Sequence, residues 1–177
     1  NKADAYALER AQNANIATAV ISHKDFPSRE DFDEAMHQQL IAWQADVVIL
    51  AGFMRILSEK FVSAWEGKMI NIHPSLLPHY KGMHTHQRVL NTGDQLHGCT
   101  VHYVTAELDA GQALAQGVLK VGSHDCVNSL SQRVHTLEHI IYPQVVEWIC
   151  TQTIQHTDQG VLYRDTLMHE PIQFCKF

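Results

Sequence analysis

Apolar residues along the chain fall into two kinds of pattern. Short continuous apolar runs predict buried strands, at residues 16–21, 47–50 and 69–72. Helical spacing of apolar residues, together with capping residues such as Ser28, predicts helices at residues 3–13, 28–43, 58–65, 85–90 and 127–148. Because strands alternate with helices, the expected fold class is α/β: a doubly wound, mostly parallel sheet with helices on both faces.

The second half of the chain predicts two neighbouring strands, a long helix and a final short strand. Residues 100–104 alternate in character, which suits a strand near a sheet edge, and residues 112–121 predict a strand that returns beside it. The long last helix contains Pro143, which we expect to kink or break it. A final short strand is expected at residues 161–163.

Composition narrows the class of protein. The chain has 177 residues and a mass of 20.0 kDa, with 45% apolar and 18% charged residues, which is typical of a soluble globular domain. Its formal net charge of −6 argues against a nucleic-acid or anionic-membrane partner, and no apolar run approaches the ~20 residues of a membrane span. The four cysteines include no C-x-x-C pair, so we expect neither a disulfide framework nor a cysteine zinc site, and a reducing, cytoplasmic location.

Polar side chains that could take part in catalysis lie at the end of the strand predicted at residues 69–72. Asn71 and His73 are two residues apart, so both side chains point to the same side, and Pro74 ends the strand there. An amide and an imidazole side by side can stabilise one developing oxyanion. Asp109 is a candidate partner that keeps His73 protonated. The alternatives are that Asn71 and His73 merely cap a strand, and that Asp109 is an ordinary turn aspartate.

Five segments then resemble the phosphoribosylglycinamide formyltransferase family. Residues 71–78 (NIHPSLLP) resemble the signature of the folate-dependent formyltransferases in general. The narrower resemblance is carried, in the family's order, by residues 51–57, 82–86, 101–105 with 107–109, and 138–139 with 141–143. It runs over residues 1–148, nearly the whole chain.

The resemblance implies a specific reaction with small-molecule substrates. A formyl group would pass from 10-formyltetrahydrofolate, the donor co-substrate, to the amine of glycinamide ribonucleotide in de novo purine synthesis. The attack would be direct, through a tetrahedral intermediate, without a covalent enzyme intermediate and without a metal. His73, as an imidazolium, and Asn71 would stabilise the oxyanion, and Asp109 would pair with His73.

The resemblance also implies two sets of binding residues. The folate contacts are assigned to Arg29, Met54, Arg55, Ile56, Leu57, Thr105, Ala106, Glu107, Leu108 and Asp109. The ribonucleotide contacts are assigned to Asn71, His135, Thr136, Leu137 and Glu138. Arg29 has an alternative interpretation as a solvated arginine in the first turn of its helix. The other histidines, which include His84, His86, His97 and His102, lack the usual zinc spacings, so no metal site is expected.

The sequence departs from the family pattern in two places. The family begins with a strand and a glycine-rich phosphate loop, so we expect a single formyltransferase domain over residues 1–177 that lacks its start. After Asp109 the chain has Ala110 and Gly111, where the family more often has Gly-Gly-Pro, and alanine restricts positive φ angles. The folate loop is therefore expected to differ in shape.

Other functions remain open at this stage. A formyltetrahydrofolate hydrolase would share the Asn/His/Asp set but would add a regulatory domain. A methionyl-tRNA formyltransferase would need a further basic domain for tRNA. A catalytically silent folate-binding or scaffold protein would have no use for Asn71, His73 and Asp109. The oligomeric state, monomer or homodimer, is also open.

Overall fold

A five-stranded sheet organises the larger part of the chain in the computed structural model, which describes residues 2–176. In spatial order its strands are β1 (Val48–Leu50), β2 (Met69–His73), β3 (Leu96–Tyr103), β4 (Ala113–Lys120) and β8 (Ile172–Lys176). β1 pairs parallel with β2, β3 pairs antiparallel with both β2 and β4, and β4 pairs parallel with β8. Four of the five strands thus run in one direction and β3 alone runs the other way, which confirms the mostly parallel α/β sheet.

The core of this larger unit lies between the sheet and the long helix α5 (Val127–Cys150). The buried face of α5 consists of Leu130, Val134, Leu137, Ile141 and Val145, which are spaced three or four residues apart. That spacing is the apolar stripe that the sequence predicts. The Tyr142 hydroxyl on the same helix donates to the carbonyls of Leu50 (2.6 Å) and Ile70 (3.2 Å), and so ties α5 to β1 and β2.

The rest of the larger unit connects and extends the sheet. The short helix α4 (Thr85–Thr92) follows β2, and a small three-stranded sheet follows α5. Its strands are β5 (Ile154–Thr157), β6 (Gly160–Tyr163) and β7 (Thr166–Leu167), all antiparallel. The predicted strand at residues 161–163 is confirmed as β6, whereas β5, β7 and β8 carry no clear apolar pattern and were not expected.

A smaller compact unit comprises, among the described residues, 2–46 and 57–61. It contains α1 (Tyr6–Asn13), the short 3₁₀ turn His23–Asp25 and α2 (Arg29–Ala42), and the chain then enters α3 (Glu59–Ala64). The Ser28 side chain accepts a hydrogen bond from the Asp31 N–H and caps α2, as predicted. The Asp33 carboxylate is buried within this unit and accepts from the Ser58 N–H at 2.6 Å.

Three sequence-based expectations about the fold are wrong. Residues 16–21 form no strand: they pair with no strand among residues 2–176, and Ile16 is 61% exposed. β3 is the central strand of its sheet rather than an edge strand, and all of its residues after Leu96 are buried. Pro143 does not break α5, which continues through it to Cys150, whereas the alternative expectation of a kink there stays a prediction. The single domain predicted for residues 1–177 stays a prediction, and its end residues Asn1 and Phe177 lie outside the described residues.

Candidate active site

The carboxyl end of β2 carries the two residues singled out by the sequence. Asn71 and His73 project to the same side of β2, and the antiparallel register places Asn71 opposite His102 and His73 opposite Thr100 on β3. The register of the sheet therefore brings Asn71 next to His102. His73 is only 6% exposed, so its side chain lies in the interior of the protein.

Both ring nitrogens of His73 face oxygen atoms. Nε2 lies 2.9 Å from the Tyr80 carbonyl oxygen, which only accepts hydrogen bonds, so Nε2 carries a proton. Nδ1 lies 3.4 Å from Oδ2 of Asp109, and both side chains are more than nine-tenths buried. A neutral imidazole has a proton for one of these acceptors, whereas the imidazolium has one for each.

Asp109 is held in place by its backbone and by a glycine N–H. Its φ of 48° is in the left-handed region, which aspartate tolerates better than most residues. Oδ2 accepts from the Gly82 N–H at 2.9 Å. Gly111 makes the turn possible, since a Cβ there would come within 1.8 Å of the Tyr103 carbonyl oxygen. Ala110 has no positive φ, so the alanine at this turn causes no backbone strain.

His102 completes the cluster. Its Nδ1 donates to the Tyr103 carbonyl at 2.8 Å, so Nε2 presents a lone pair, which accepts from the Asn71 amide at 3.3 Å. Burial lowers the pKa of His102, which keeps the ring neutral. The contact fixes the orientation of the Asn71 amide and leaves one of its N–H groups available.

The loop that follows His73 is fixed by buried polar residues of β3 and β4. Thr100 Oγ1 donates to the Ser75 carbonyl at 2.7 Å and accepts from the Leu77 N–H at 3.0 Å. Gln116 Nε2 donates to the Leu77 carbonyl at 2.8 Å. These bonds position the segment whose Tyr80 carbonyl holds the His73 ring.

α5 contributes the predicted ribonucleotide residues. Glu138 is partly buried and makes no hydrogen bond or ion pair to any residue in the range 2–176. Burial raises the pKa of its carboxyl group, and the neighbouring imidazoles of His135, His139 and His73 act in the opposite direction. Thr136 is exposed, whereas the Leu137 side chain lies in the core and leaves only its backbone to face a ligand.

The predicted folate residues fall into three groups. Met54 and Ile56 are exposed apolar side chains beside Arg55, directly after β1. In the loop before β4, Thr105, Ala106, Glu107 and Leu108 are all exposed, and Glu107 pairs with Lys81 at 2.9 Å. Arg29 is the first residue of α2 and pairs with Glu30 at 2.8 Å, with 46% of its side chain exposed. Arg29 and Leu57 belong to the smaller unit.

The remaining histidines and cysteines form no metal centre in the described part of the chain. No group of three or more His, Cys, Asp or Glu side chains in residues 2–176 is arranged around a common point. His86 and His97 instead bond to each other, with Nδ1 and Nε2 2.9 Å apart. All four cysteines are free, and Cys99 is buried. None of the helices in residues 2–176 has the length and apolarity needed to span a membrane.

Sequence reasoning missed the backbone and second-strand components of the site. The sequence does suggest that His102 helps to line the site, because its strand leads towards Asp109, but it does not single out the Tyr80 carbonyl, the Gly82 N–H or Thr100. The alternation of β3 gave the one available signal, because it puts Thr100 and His102 on the same face.

Fold and site together define an α/β protein in which an amide, an imidazole and a carboxylate converge at the end of a sheet strand. The family model of the formyl transferases matches residues 1–146. The chain therefore belongs to the formyl transferase family.

Individual relatives agree with this assignment. The chain is 49% identical over 148 residues to the phosphoribosylglycinamide formyltransferase of Escherichia coli K12, which covers 84% of this chain and 70% of that enzyme. The solved phosphoribosylglycinamide formyltransferase of Coxiella burnetii, in complex with CHES, has a TM-score of 0.91 and 44% identity, and covers 98% of this chain and 82% of that one. The corresponding structure from Anaplasma phagocytophilum has a TM-score of 0.86 at 37% identity over 100% of this chain and 83% of that one.

Some relatives are much longer proteins. The trifunctional purine biosynthetic protein adenosine-3 of Homo sapiens is 46% identical over 160 residues, which are 90% of this chain and 16% of that protein. The protein of the same name from Chironomus tentans is 44% identical over 159 residues, and the match covers 12% of its length. The chain thus corresponds to a small part of these trifunctional proteins.

Proposed function

We propose that this protein transfers the formyl group of 10-formyltetrahydrofolate to the amine of glycinamide ribonucleotide. The observation that carries the proposal is the convergence of Asn71, His73 and Asp109, with His73 Nδ1 3.4 Å from the Asp109 carboxylate and both groups buried. The relatives named phosphoribosylglycinamide formyltransferase support the choice of substrates. The reaction would take place in the cytoplasm.

The site residues suit direct transfer through a tetrahedral intermediate. The amine nitrogen attacks the formyl carbon, and the carbonyl oxygen becomes an oxyanion. The free N–H of Asn71 donates to that oxygen, and the positive charge of protonated His73, whose two N–H groups are directed to Asp109 and to the Tyr80 carbonyl, stabilises it electrostatically. As the bond from the carbon to the folate nitrogen breaks, the proton lost by the amine passes to that nitrogen. No metal takes part in these steps.

The predicted binding residues supply different environments for the two substrates. Met54, Ile56 and Leu108 are exposed apolar side chains, which suit the flat face of a pterin ring, and backbone groups of the same segments suit its polar edge. Glu138 offers a partly buried carboxylate without a hydrogen-bond partner among the described residues, which suits the amine of the ribonucleotide.

The test is a formyl-transfer assay on the purified protein. The 10-formyl donor is mixed with the enzyme, with and without glycinamide ribonucleotide, and deformylated folate is followed by absorbance. We expect release that depends on the ribonucleotide. Release without it would instead support the hydrolase, and no release with a folate that still binds would support a silent folate-binding protein.

Asp109→Asn tests the pairing with His73. The variant keeps the shape of the side chain but removes the charge that stabilises the imidazolium, so we expect turnover to fall by about 10²–10³-fold. Folate binding, measured by fluorescence quenching, is expected to persist. Asp165→Asn is the matched control, because Asp165 is exposed in the turn between β6 and β7. Unchanged turnover in Asp109→Asn would contradict the proposed pairing.

A further inference from the structure

One face of α5 presents two histidines one helical turn apart. His135 and His139 are both exposed, and their ring centroids are 4.1 Å apart. Side chains at positions i and i+4 of a helix are neighbours, so both imidazoles can reach one point in the solvent. The opposite face of the helix, including Val134 and Leu137, is buried in the core, so the backbone that carries the two histidines is held in place.

Glu138 lies on the same face, three residues after His135 and one before His139. Its carboxylate makes no hydrogen bond or ion pair with the described residues 2–176, and the two imidazoles interact with it electrostatically. A cation held by the imidazoles would therefore lie beside a carboxylate that has no hydrogen-bond or ion-pair partner among residues 2–176.

We propose that His135 and His139 chelate a divalent transition-metal ion of the nickel, copper or zinc type, beside the Glu138 carboxylate. Neutral imidazole is a good ligand for these ions, and two imidazoles on consecutive turns of a fixed helix bind as one chelate. The described residues bring no third ligand to this point as they are arranged, so water completes the coordination. The formyl transfer proposed above itself requires no metal.

The kinetic consequence rests on the proposed function. If Glu138 receives the amine of the ribonucleotide, the bound metal ion competes with that amine for the same carboxylate. We expect the ion to raise the KM for glycinamide ribonucleotide and to leave kcat unchanged at saturating ribonucleotide. An effect on kcat with no change in KM would overturn the competition, whereas the binding test below needs no substrate.

Binding is measured by isothermal titration of the full chain with nickel chloride in a buffer that does not chelate metals. The variants are His135→Gln and His139→Gln, and the control is His124→Gln, which removes an exposed histidine outside α5. All variants keep the exposed cysteines Cys126 and Cys150, so any thiol binding is common to them. Loss of one ligand of a chelate is expected to weaken binding by about tenfold or more.

A spectroscopic readout separates ligation from a structural effect. Copper(II) bound to the wild type is expected to show nitrogen hyperfine coupling from two imidazoles in electron paramagnetic resonance, and each α5 variant is expected to show one fewer. Far-ultraviolet circular dichroism checks that the variants remain folded. Nickel affinity that is the same in the wild type and both α5 variants, or a copper spectrum unchanged by them, would overturn the proposal.

Discussion

Lowering the pH should destabilise this protein through a buried pair of histidines. His97, near the start of β3, is 1% exposed, and its Nε2 lies 2.9 Å from Nδ1 of His86 on α4. Burial is the main cause that lowers the pKa of His97 to about 4, His86 and His73 act in the same direction, and Asp94 opposes them. Burial also lowers the pKa of His86. The folded state therefore resists a proton that the unfolded chain accepts.

The sign and size of the pH effect on the free energy of unfolding follow from the pKa of His97 in the folded and unfolded states. The folded value of about 4 lies below the ordinary value of 6.5, so the unfolded state binds more protons between these values. The stability contribution is complete above pH 6.5 and is lost as the pH falls towards 4. Between about pH 7.5 and about pH 5 this residue alone costs about 2 kcal/mol of unfolding free energy, and His86 adds to the loss in the same direction.

Urea denaturation at the two pH values measures this loss. The wild type and a His97→Gln variant are each unfolded in urea at about pH 7.5 and about pH 5. For each protein the change in unfolding free energy between the two pH values is determined, and the two changes are compared. We expect the wild type to lose about 2 kcal/mol more than the variant, because glutamine does not titrate. His124→Gln is the control: it removes an exposed histidine and should keep the full wild-type loss. Comparing losses rather than stabilities cancels the cost of the substitution itself.

Equal losses in the wild type and in His97→Gln would refute the reasoning, because they would show that His97 accepts a proton in the folded state as readily as in the unfolded one. A proton NMR titration of the folded wild type gives a second check. The His97 ring signal should not shift until the pH approaches about 4, well below the ordinary histidine range.

Two substitutions test the scaffold of the site. Thr100→Val removes the hydroxyl that bonds to the backbone of Ser75 and Leu77. Because these buried backbone groups lose their partner, the free energy of unfolding in urea should fall by about 1–3 kcal/mol. A fall of less than about 0.5 kcal/mol would contradict the proposed hydrogen-bond network. Gly111→Ala would bring a Cβ within 1.8 Å of the Tyr103 carbonyl oxygen and should displace the turn that carries Asp109. We therefore expect turnover to fall by more than the loss of stability explains. Turnover equal to that of the wild type would contradict the role of this turn.

Local patterns sufficed for much of the fold. The stripe of α5 and the cap at Ser28 depend on nearby residues, so the sequence alone predicts them correctly. The apolar run at residues 16–21 fails as a prediction because a strand also needs a partner, which local pattern does not reveal. β3 was misplaced for a related reason: its polar residues are buried but bonded, so alternation there does not indicate a solvent-facing side.

The site was predictable only where its members are close in sequence. Asn71 and His73 are two residues apart on one strand, so period-two geometry puts them together. From the residues alone, only its position in a turn identified Asp109 as a candidate site residue. The family resemblance implied its pairing with His73. That pairing depends on a left-handed backbone at Asp109 and on the Gly82 N–H, which is 27 residues away in sequence. The catalytic role of Asp109, like the roles of the binding residues, stays a prediction until the variants are assayed.

The two histidines at the centre of the site face different hydrogen-bond partners. His73 faces an acceptor at each nitrogen, the Tyr80 carbonyl and Asp109. His102 Nδ1 faces the Tyr103 carbonyl, while its Nε2 lies 3.3 Å from the Asn71 amide and 3.8 Å from Oδ1 of Asp109. Burial is the largest influence on the pKa of His102 and lowers it, against the opposing effect of Asp109. A positive charge on His73 would lower the pKa of His102 further. In the proposed reaction His73 therefore acts through its charge, while His102 orients the Asn71 amide that donates to the oxyanion.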